Sequence, residues 1–280
     1  MAASFSFELL KLRKRPAVWV LGVILVLVVL FFDYYQFYTV IKSLEAGGDD
    51  PTGQVTNVGQ FKEYLLPGSV AVNVAGLLAT FGGPIALILG ALAAGGEYGW
   101  GTLKTSLTQR PGRLSVLLGK LLAVGLVVAL YSLLALGAGA IGSYAAASLF
   151  DRPVDWPSAS NLLEGLGVIW LVLAAWASLG VFLATLFRGT ALAIGLGLVY
   201  GLAVEGLIFG FSDQSRIMDA ITYVLLGRNG RELANSLGEA PQSFSSPDPV
   251  DPTQAALVLA GYVLGLLLIA AVLFRKRDVT

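Results

Sequence analysis

Six stretches of the chain are apolar enough to cross a membrane. The hydrophobic residues form long runs, and a helix needs about 20 such residues to cross a lipid bilayer. The six predicted spans cover residues 17–38, 69–94, 114–149, 166–187, 190–211 and 255–274. The pattern therefore predicts an all-α polytopic membrane protein, in which residues 1–280 form a single transmembrane domain.

Two of these spans contain residues that disturb a regular helix. Pro84 follows two glycines in the middle of span two, and proline removes a backbone hydrogen-bond donor, so we expect a kink there. Span three covers 36 residues, which would extend about 54 Å as one helix. We expect a break or bend near Gly137, Gly139 and Gly142, and the alternative is a helix that protrudes from the membrane.

The N-terminal segment has an amphipathic pattern. Phe5, Leu9 and Leu12 fall on one face of a helix, and charged residues crowd the other face. This pattern predicts a short helix lying in the headgroup layer, and an ordinary basic flank is the alternative.

The segment between spans five and six also has helical periodicity. Ile217, Ile221, Leu225 and Leu226 indicate one short helix, and Leu233 and Leu237 indicate a second. We expect two short amphipathic helices that lie at the membrane surface or dip into it.

Composition supports a membrane protein and excludes several chemistries. The chain is 56% hydrophobic and 13% charged, with a mean hydropathy of +0.78, whereas soluble domains average about 45–50% and about 25%. It has no cysteine and no histidine, which excludes disulfides, Ser-His-Asp triads and histidine-based zinc sites. The nearest approach to a Walker A loop, between Gly112 and Lys120, has the wrong spacing. We therefore expect no enzyme activity, cofactor or metal in this chain.

Basic residues in the short loops predict the orientation of the spans. Alternate loops and the two termini share one side, which holds twelve of the 18 basic residues and three of the 18 acidic residues. Basic loops lie in the cytoplasm, so we expect a bacterial-type plasma membrane protein with both termini cytoplasmic. The basic residues on this side are Lys11, Arg13, Lys14, Arg15, Lys104, Arg110, Arg113, Lys120, Arg188, Arg275, Lys276 and Arg277.

The connection between spans two and three is the most informative loop. Thr102 is a suitable N-cap after Gly101, and Leu107 follows Leu103 by one helical turn. This pattern predicts a short cytoplasmic helix fixed between two spans. A soluble partner that binds this helix would be able to move both spans. The alternative is a basic loop that binds no partner.

This connection resembles that of ABC-2 type permeases, the membrane subunits of one class of ABC exporters. The family pattern is small residues, Glu, Gly-Thr, a basic residue, a hydrophobic residue, Pro, Arg and then Gly-Lys. The matching positions are Gly96, Glu97, Gly101, Thr102, Lys104, Leu107, Pro111, Arg113, Gly119 and Lys120. The six spans, the N-terminal helix and the short helices before span six also resemble that family, although the segment before span six is unusually long and rich in proline.

The resemblance implies a permease that exports an unidentified substrate with energy from a separate ATPase. Two ATPase subunits would bind ATP and Mg²⁺, and the permease would pair with a second copy of itself or a related permease in the lipid bilayer. No nucleic-acid partner is expected. The residues that would couple the permease to the ATPase are Glu97, Tyr98, Gly101, Thr102, Lys104, Leu107, Arg110 and Arg113.

Glu205 is an acidic residue within span five. A carboxylate near the middle of a membrane costs about 2.5–3.5 kcal/mol, so Glu205 should face protein or a water-filled cavity. It would either line a substrate path, with Asn73 as a second candidate, or serve a structural role through a bond to Asn73, Tyr200 or a serine. Two other functions stay open: a gradient-driven secondary carrier or channel, and a non-transporting membrane assembly or sensor protein.

Overall fold

The protein is a bundle of six long apolar helices. The computed structural model describes residues 2–99, 113–244 and 248–276, and no β-strand occurs among them. The prediction of an all-α membrane protein with six spans is confirmed, although spans one and four are longer than predicted. The spans are Pro16–Glu45, Pro67–Gly96, Ser115–Leu149, Ala159–Phe187, Thr190–Gly210 and Pro252–Arg275.

The first and last described helices, Ala2–Lys14 and Pro252–Lys276, begin and end respectively at one end of the bundle, which we call the terminal end. A small apolar cluster there joins the last turns of spans two, four and six to the first turn of span five. Its buried members are Ala91, Ala94, Val181, Ala184, Ala193 and Ala270. The helix Ala2–Lys14 packs against the start of span three at the same end. The other end of the bundle is called the opposite end below.

Spans two and four form the centre of the bundle. A Cβ atom at Gly90 would overlap the carbonyl oxygen of Ala177, and a Cβ atom at Gly180 would overlap that of Leu87. The two helix backbones therefore touch through glycine, and no larger residue fits at either position. Span two is 72% buried, whereas spans five and six are 17% and 11% buried, so the last two spans present most of their surface to lipid or a partner.

Three spans change locally from α-helix to π-helix. The π-helical segments are Val29–Tyr35 in span one, Leu78–Gly82 in span two and Val199–Val204 in span five. The second of them ends immediately before Gly83 and Pro84, where a kink was predicted. π-Helical turns accommodate an extra residue and occur often at functional sites.

Span three is one continuous helix, Arg113–Leu149, of 37 residues. The predicted break near Gly137, Gly139 and Gly142 is wrong. Two of these glycines serve close packing, because a Cβ atom at Gly139 would meet Val74, and one at Gly142 would meet Tyr34. The helix is therefore continuous despite the low helix propensity of glycine. Protrusion of the helix from the membrane stays a prediction.

The predicted N-terminal helix is confirmed as Ala2–Lys14. Leu12 on its apolar face is 2% exposed. The remaining short elements of the described chain lie at the opposite end of the bundle. They are the α-helices Val58–Tyr64, Arg216–Thr222 and Leu226–Asn235 and the 3₁₀ turns Pro67–Ser69, Ser212–Gln214 and Gln242–Phe244.

The helix Leu226–Asn235, here called the inserted helix, enters the bundle between spans two, four and six. Leu226, Asn229 and Ala234 are fully buried. Two short helices were predicted in this part of the chain and are confirmed, but the second one begins earlier than expected and ends before Leu237. Leu225 and Leu226 were predicted in the first helix, which is wrong, because that helix ends at Thr222 and Leu226 begins the second.

Candidate functional site

The predicted coupling connection joins the last turn of one helix to the first turn of another. Glu97 and Tyr98 belong to the last turn of the helix Gly83–Gly99, which ends span two. Arg113 is the first residue of the helix that forms span three. The other predicted coupling residues lie outside the described residues; they are Gly101, Thr102, Lys104, Leu107 and Arg110.

Arg15 connects the start of span one to the end of span two. Its Nη1 atom donates a hydrogen bond to the carbonyl oxygen of Leu92 at 2.6 Å. A Cβ atom at Gly96 would lie 2.7 Å from the Nη2 atom of Arg15, so the guanidinium lies directly against the helix backbone. This arginine was predicted only as part of the basic flank, and the structure gives it a contact next to the connection.

Glycines allow two further close contacts at the terminal end. A Cβ atom at Gly95 would lie 2.7 Å from Cγ2 of Thr190, the first residue of span five. A Cβ atom at Gly119 would lie 2.9 Å from the backbone nitrogen of Phe5 in the N-terminal helix. In addition, the hydroxyl oxygens of Ser4 and Ser115 are 3.3 Å apart. Both ends of the connection are therefore packed against other elements.

The ends of spans two and three contact three other elements of the bundle. The end of span two contacts span one through Arg15 and span five through Gly95, and the start of span three contacts the N-terminal helix through Gly119. Because such interfaces are close-packed, they transmit small displacements to their neighbours. A force applied between spans two and three would reach spans one and five as well.

Glu205 binds the start of the inserted helix. Its Oε1 atom accepts a hydrogen bond from the backbone nitrogen of Leu226 at 3.0 Å, and its Oε2 atom accepts one from Gly227 at 3.0 Å. These two N–H groups belong to the first turn, where they have no partner within the helix and where the helix dipole favours a negative charge. The carboxylate, 4% exposed, thus fixes the inserted helix to span five.

Asn73, the second candidate for the substrate path, is fully buried in span two. Its Nδ2 atom donates to the carbonyl oxygen of Tyr64 at 3.3 Å, and its Oδ1 atom has no hydrogen-bond partner among the described residues. The role of Asn73 and Glu205 in a substrate path stays a prediction. Their described bonds instead hold two elements, the inserted helix and the end of the helix Val58–Tyr64, that border the cavity described next.

A cavity of about 360 Å³ lies at the opposite end, between spans one and two and the inserted helix. Two π-helical segments border it, with Asp33 in span one and Phe81 in span two. The rings of Phe32 and Phe81 stack at its edge with centroids 5.0 Å apart. Arg231 and Asn235 line it from the inserted helix. The cavity therefore combines a carboxylate, a guanidinium, an amide and aromatic rings.

Asp33 was not predicted as a site residue. It is 3% exposed, and its Oδ2 atom makes no hydrogen bond with any described residue. In the sequence it stands beside Tyr34, Tyr35 and Tyr38, and aromatic residues at the end of a span are normal in membrane proteins. The available signal was the acidic residue itself, because an ionisable group within a span is a functional candidate by default.

Comparison with known proteins gives one match over nearly the whole chain. The model of the family described as ABC-2 family transporter protein matches residues 2–279. No curated protein matches the chain. The family match agrees with the six apolar spans of the structure. The chain therefore belongs to the ABC-2 family of transporter proteins and is a multi-pass membrane permease.

Proposed function

We propose that this chain is the membrane subunit of an ATP-driven exporter whose energy comes from a separate ATPase. Two copies of the permease, or one copy and a related permease, would assemble with two ATPase subunits in a bacterial-type plasma membrane. The terminal end would face the cytoplasm, as the distribution of basic residues predicts. ATP and Mg²⁺ would be bound by the ATPase subunits.

The observation that carries this proposal is the packing of both ends of the connection. Membership of the ABC-2 family implies an ABC ATPase partner in general. The contacts of Arg15, Gly95 and Gly119 give that partner a means of acting on more than one span. We infer that the connection holds the coupling helix, and that ATP-driven movement there shifts the bundle between two arrangements of its spans.

Charge reversal in the connection tests the proposal. The permease, co-expressed with the ATPase encoded beside it, is reconstituted into vesicles, and ATP hydrolysis is measured for wild type, for Lys104→Glu with Arg110→Glu, and for a control with Arg152→Glu at the opposite end. We expect the double variant to lose ATPase binding or the effect of the permease on hydrolysis, whereas the control keeps both. A double variant that behaves as wild type would place the coupling site elsewhere.

A gradient-driven carrier is the second candidate, and one observation favours it. Such a carrier needs ionisable groups within its spans, and Asp33 is buried in span one in addition to Glu205 in span five. The two candidates differ in their energy source. A carrier would continue to transport in vesicles without the ATPase and would stop when the ion gradient is dissipated. This result would establish the carrier and contradict the proposed exporter.

A further inference from the structure

The cavity at the opposite end contains an unsatisfied acidic group. Asp33 lines the cavity, is 3% exposed, and has an Oδ2 atom without a hydrogen-bond partner among the described residues. A buried carboxylate is costly unless a cation or several donors satisfy it. A cation that enters the cavity and reaches Asp33 would compensate this group.

The walls of the cavity favour an organic cation over a metal ion. Divalent metal ions need several oxygen ligands, usually more than one of them a carboxylate, and no described cluster of three acidic residues is present in the chain. The volume of about 360 Å³ suits a small molecule. Aromatic rings attract ammonium groups, and Phe32, Phe37, Phe81 and Phe244 all line this cavity.

Arg231 limits the charge of such a ligand. It lines the same cavity from the inserted helix and forms no salt bridge with a described carboxylate. A second positive charge on the ligand would be repelled by the guanidinium, whereas an anionic or neutral remainder would be accepted. A ligand with one ammonium group would pair with Asp33 and bring no second positive charge to Arg231.

We propose that this cavity binds a small organic molecule through a single ammonium group placed against Asp33. The inference rests on the proposed export function in naming the class of substrate, but the binding itself requires no ATPase. The ammonium group has two sources, a soluble amine and the headgroup of an ethanolamine lipid, and the cavity borders the exposed ring of Phe81. The chemistry recognised is the same in both cases.

Direct binding to the purified permease tests the proposal. The chain is purified in an uncharged maltoside detergent, and fluorine NMR follows the line broadening of 4-fluorobenzylamine and of its uncharged counterpart, 4-fluorobenzyl alcohol. We expect saturable broadening of the amine that excess unlabelled benzylamine removes, and no saturable broadening of the alcohol. Equal behaviour of the two probes would overturn the proposal, because the charge would then play no part.

Variants locate the binding in this cavity. Asp33→Asn keeps the size of the side chain and should weaken amine binding at least tenfold, whereas Asp155→Asn, an exposed acidic residue at the same end, should leave it unchanged. If Asp33→Asn does not fold, Thr80→Trp serves instead, because Thr80 lines the cavity at an exposed position and a tryptophan there would fill it. Wild-type affinity in a folded Asp33→Asn or Thr80→Trp protein would contradict the proposal.

Two further measurements distinguish a lipid headgroup from a soluble amine, and this inference from the proposed function. Displacement of the probe by added phosphatidylethanolamine, but not by phosphatidylglycerol, would identify a lipid headgroup as a ligand, and displacement by soluble ethanolamine alone would identify a free amine. Copurification with an ATPase is measured on the same preparations. If the permease recruits the ATPase but does not bind the amine, this inference is wrong and the proposed function stands. If it binds the amine but recruits no ATPase, the binding site stands and the proposed export function is wrong.

Discussion

Removal of the Glu205 carboxylate should release the inserted helix from span five. In Glu205→Ala, the backbone N–H groups of Leu226 and Gly227 lose the partners that lie 3.0 Å away. An unsatisfied buried donor costs about 1–3 kcal/mol, so we expect a local loss of about 2–6 kcal/mol for the two donors. Glu205→Gln keeps one acceptor but loses the charge at the helix N-terminus, and we expect about 1–3 kcal/mol.

Hydrogen–deuterium exchange of the inserted helix measures this loss. Because about 1.4 kcal/mol corresponds to a factor of ten, amides of Leu226–Asn235 should exchange at least 30-fold faster in Glu205→Ala, with Glu205→Gln between that variant and wild type. Glu164→Gln is the matched control, since this exposed glutamate lies in span four at the same end. Unchanged exchange in Glu205→Ala, or an equal change in the control, would refute the assigned role.

Three other predictions follow from particular contacts. Gly180→Ala should destabilise the detergent-solubilised protein by about 1–3 kcal/mol because its Cβ would overlap span two, whereas Gly167→Ala on the same helix meets open space and should stabilise it by about 0.5–1 kcal/mol; thermal unfolding compares them, and equal shifts would contradict the contact. The backbone nitrogens of Gln254 and Thr253, in the first turn of span six, donate hydrogen bonds to the Oδ1 atom of Asp251 and lower its pKa. Their stabilising effect should be fully present above pH 3.8 and be lost as pH falls through the lowered pKa; a carbon-13 titration with a midpoint at or above 3.8 would disprove it. Arg15→Gln should reduce transport per ATP hydrolysed while ATPase binding is retained, and unchanged coupling would show that this contact transmits no movement.

The number of spans and the positions of individual helices were predictable because they depend on the local composition and spacing of residues. Six spans follow from apolar runs of sufficient length, and the N-terminal helix follows from the spacing of Phe5, Leu9 and Leu12. The irregularity before Pro84 was also predictable, since proline disturbs any helix in the same way. These predictions required no knowledge of which helices are neighbours.

Features that depend on neighbouring helices were not predictable. The glycines of span three indicated a break, but Gly139 and Gly142 accommodate side chains of spans one and two within a continuous helix. Glu205 was correctly identified as unusual, yet its bonds to backbone N–H groups 21 and 22 residues away leave no pattern in the sequence. In the sequence Asp33 stands among aromatic residues typical of the end of a span, and only the packing around it reveals a buried carboxylate whose Oδ2 atom has no partner among the described residues.

Site-specific crosslinking to the ATPase tests the central claim most directly. The chain has no native cysteine, so a single cysteine at Lys104 can be paired with cysteines introduced into the ATPase encoded beside it, with a cysteine at Asp155 as the control from the opposite end. We predict that the cysteine at position 104 forms a crosslink whose yield changes when ATP is added, and that the cysteine at position 155 forms none. Absence of a crosslink at 104 in a complex that still copurifies, or an equal yield at 155, would contradict the claim that the connection between spans two and three couples this permease to its ATPase.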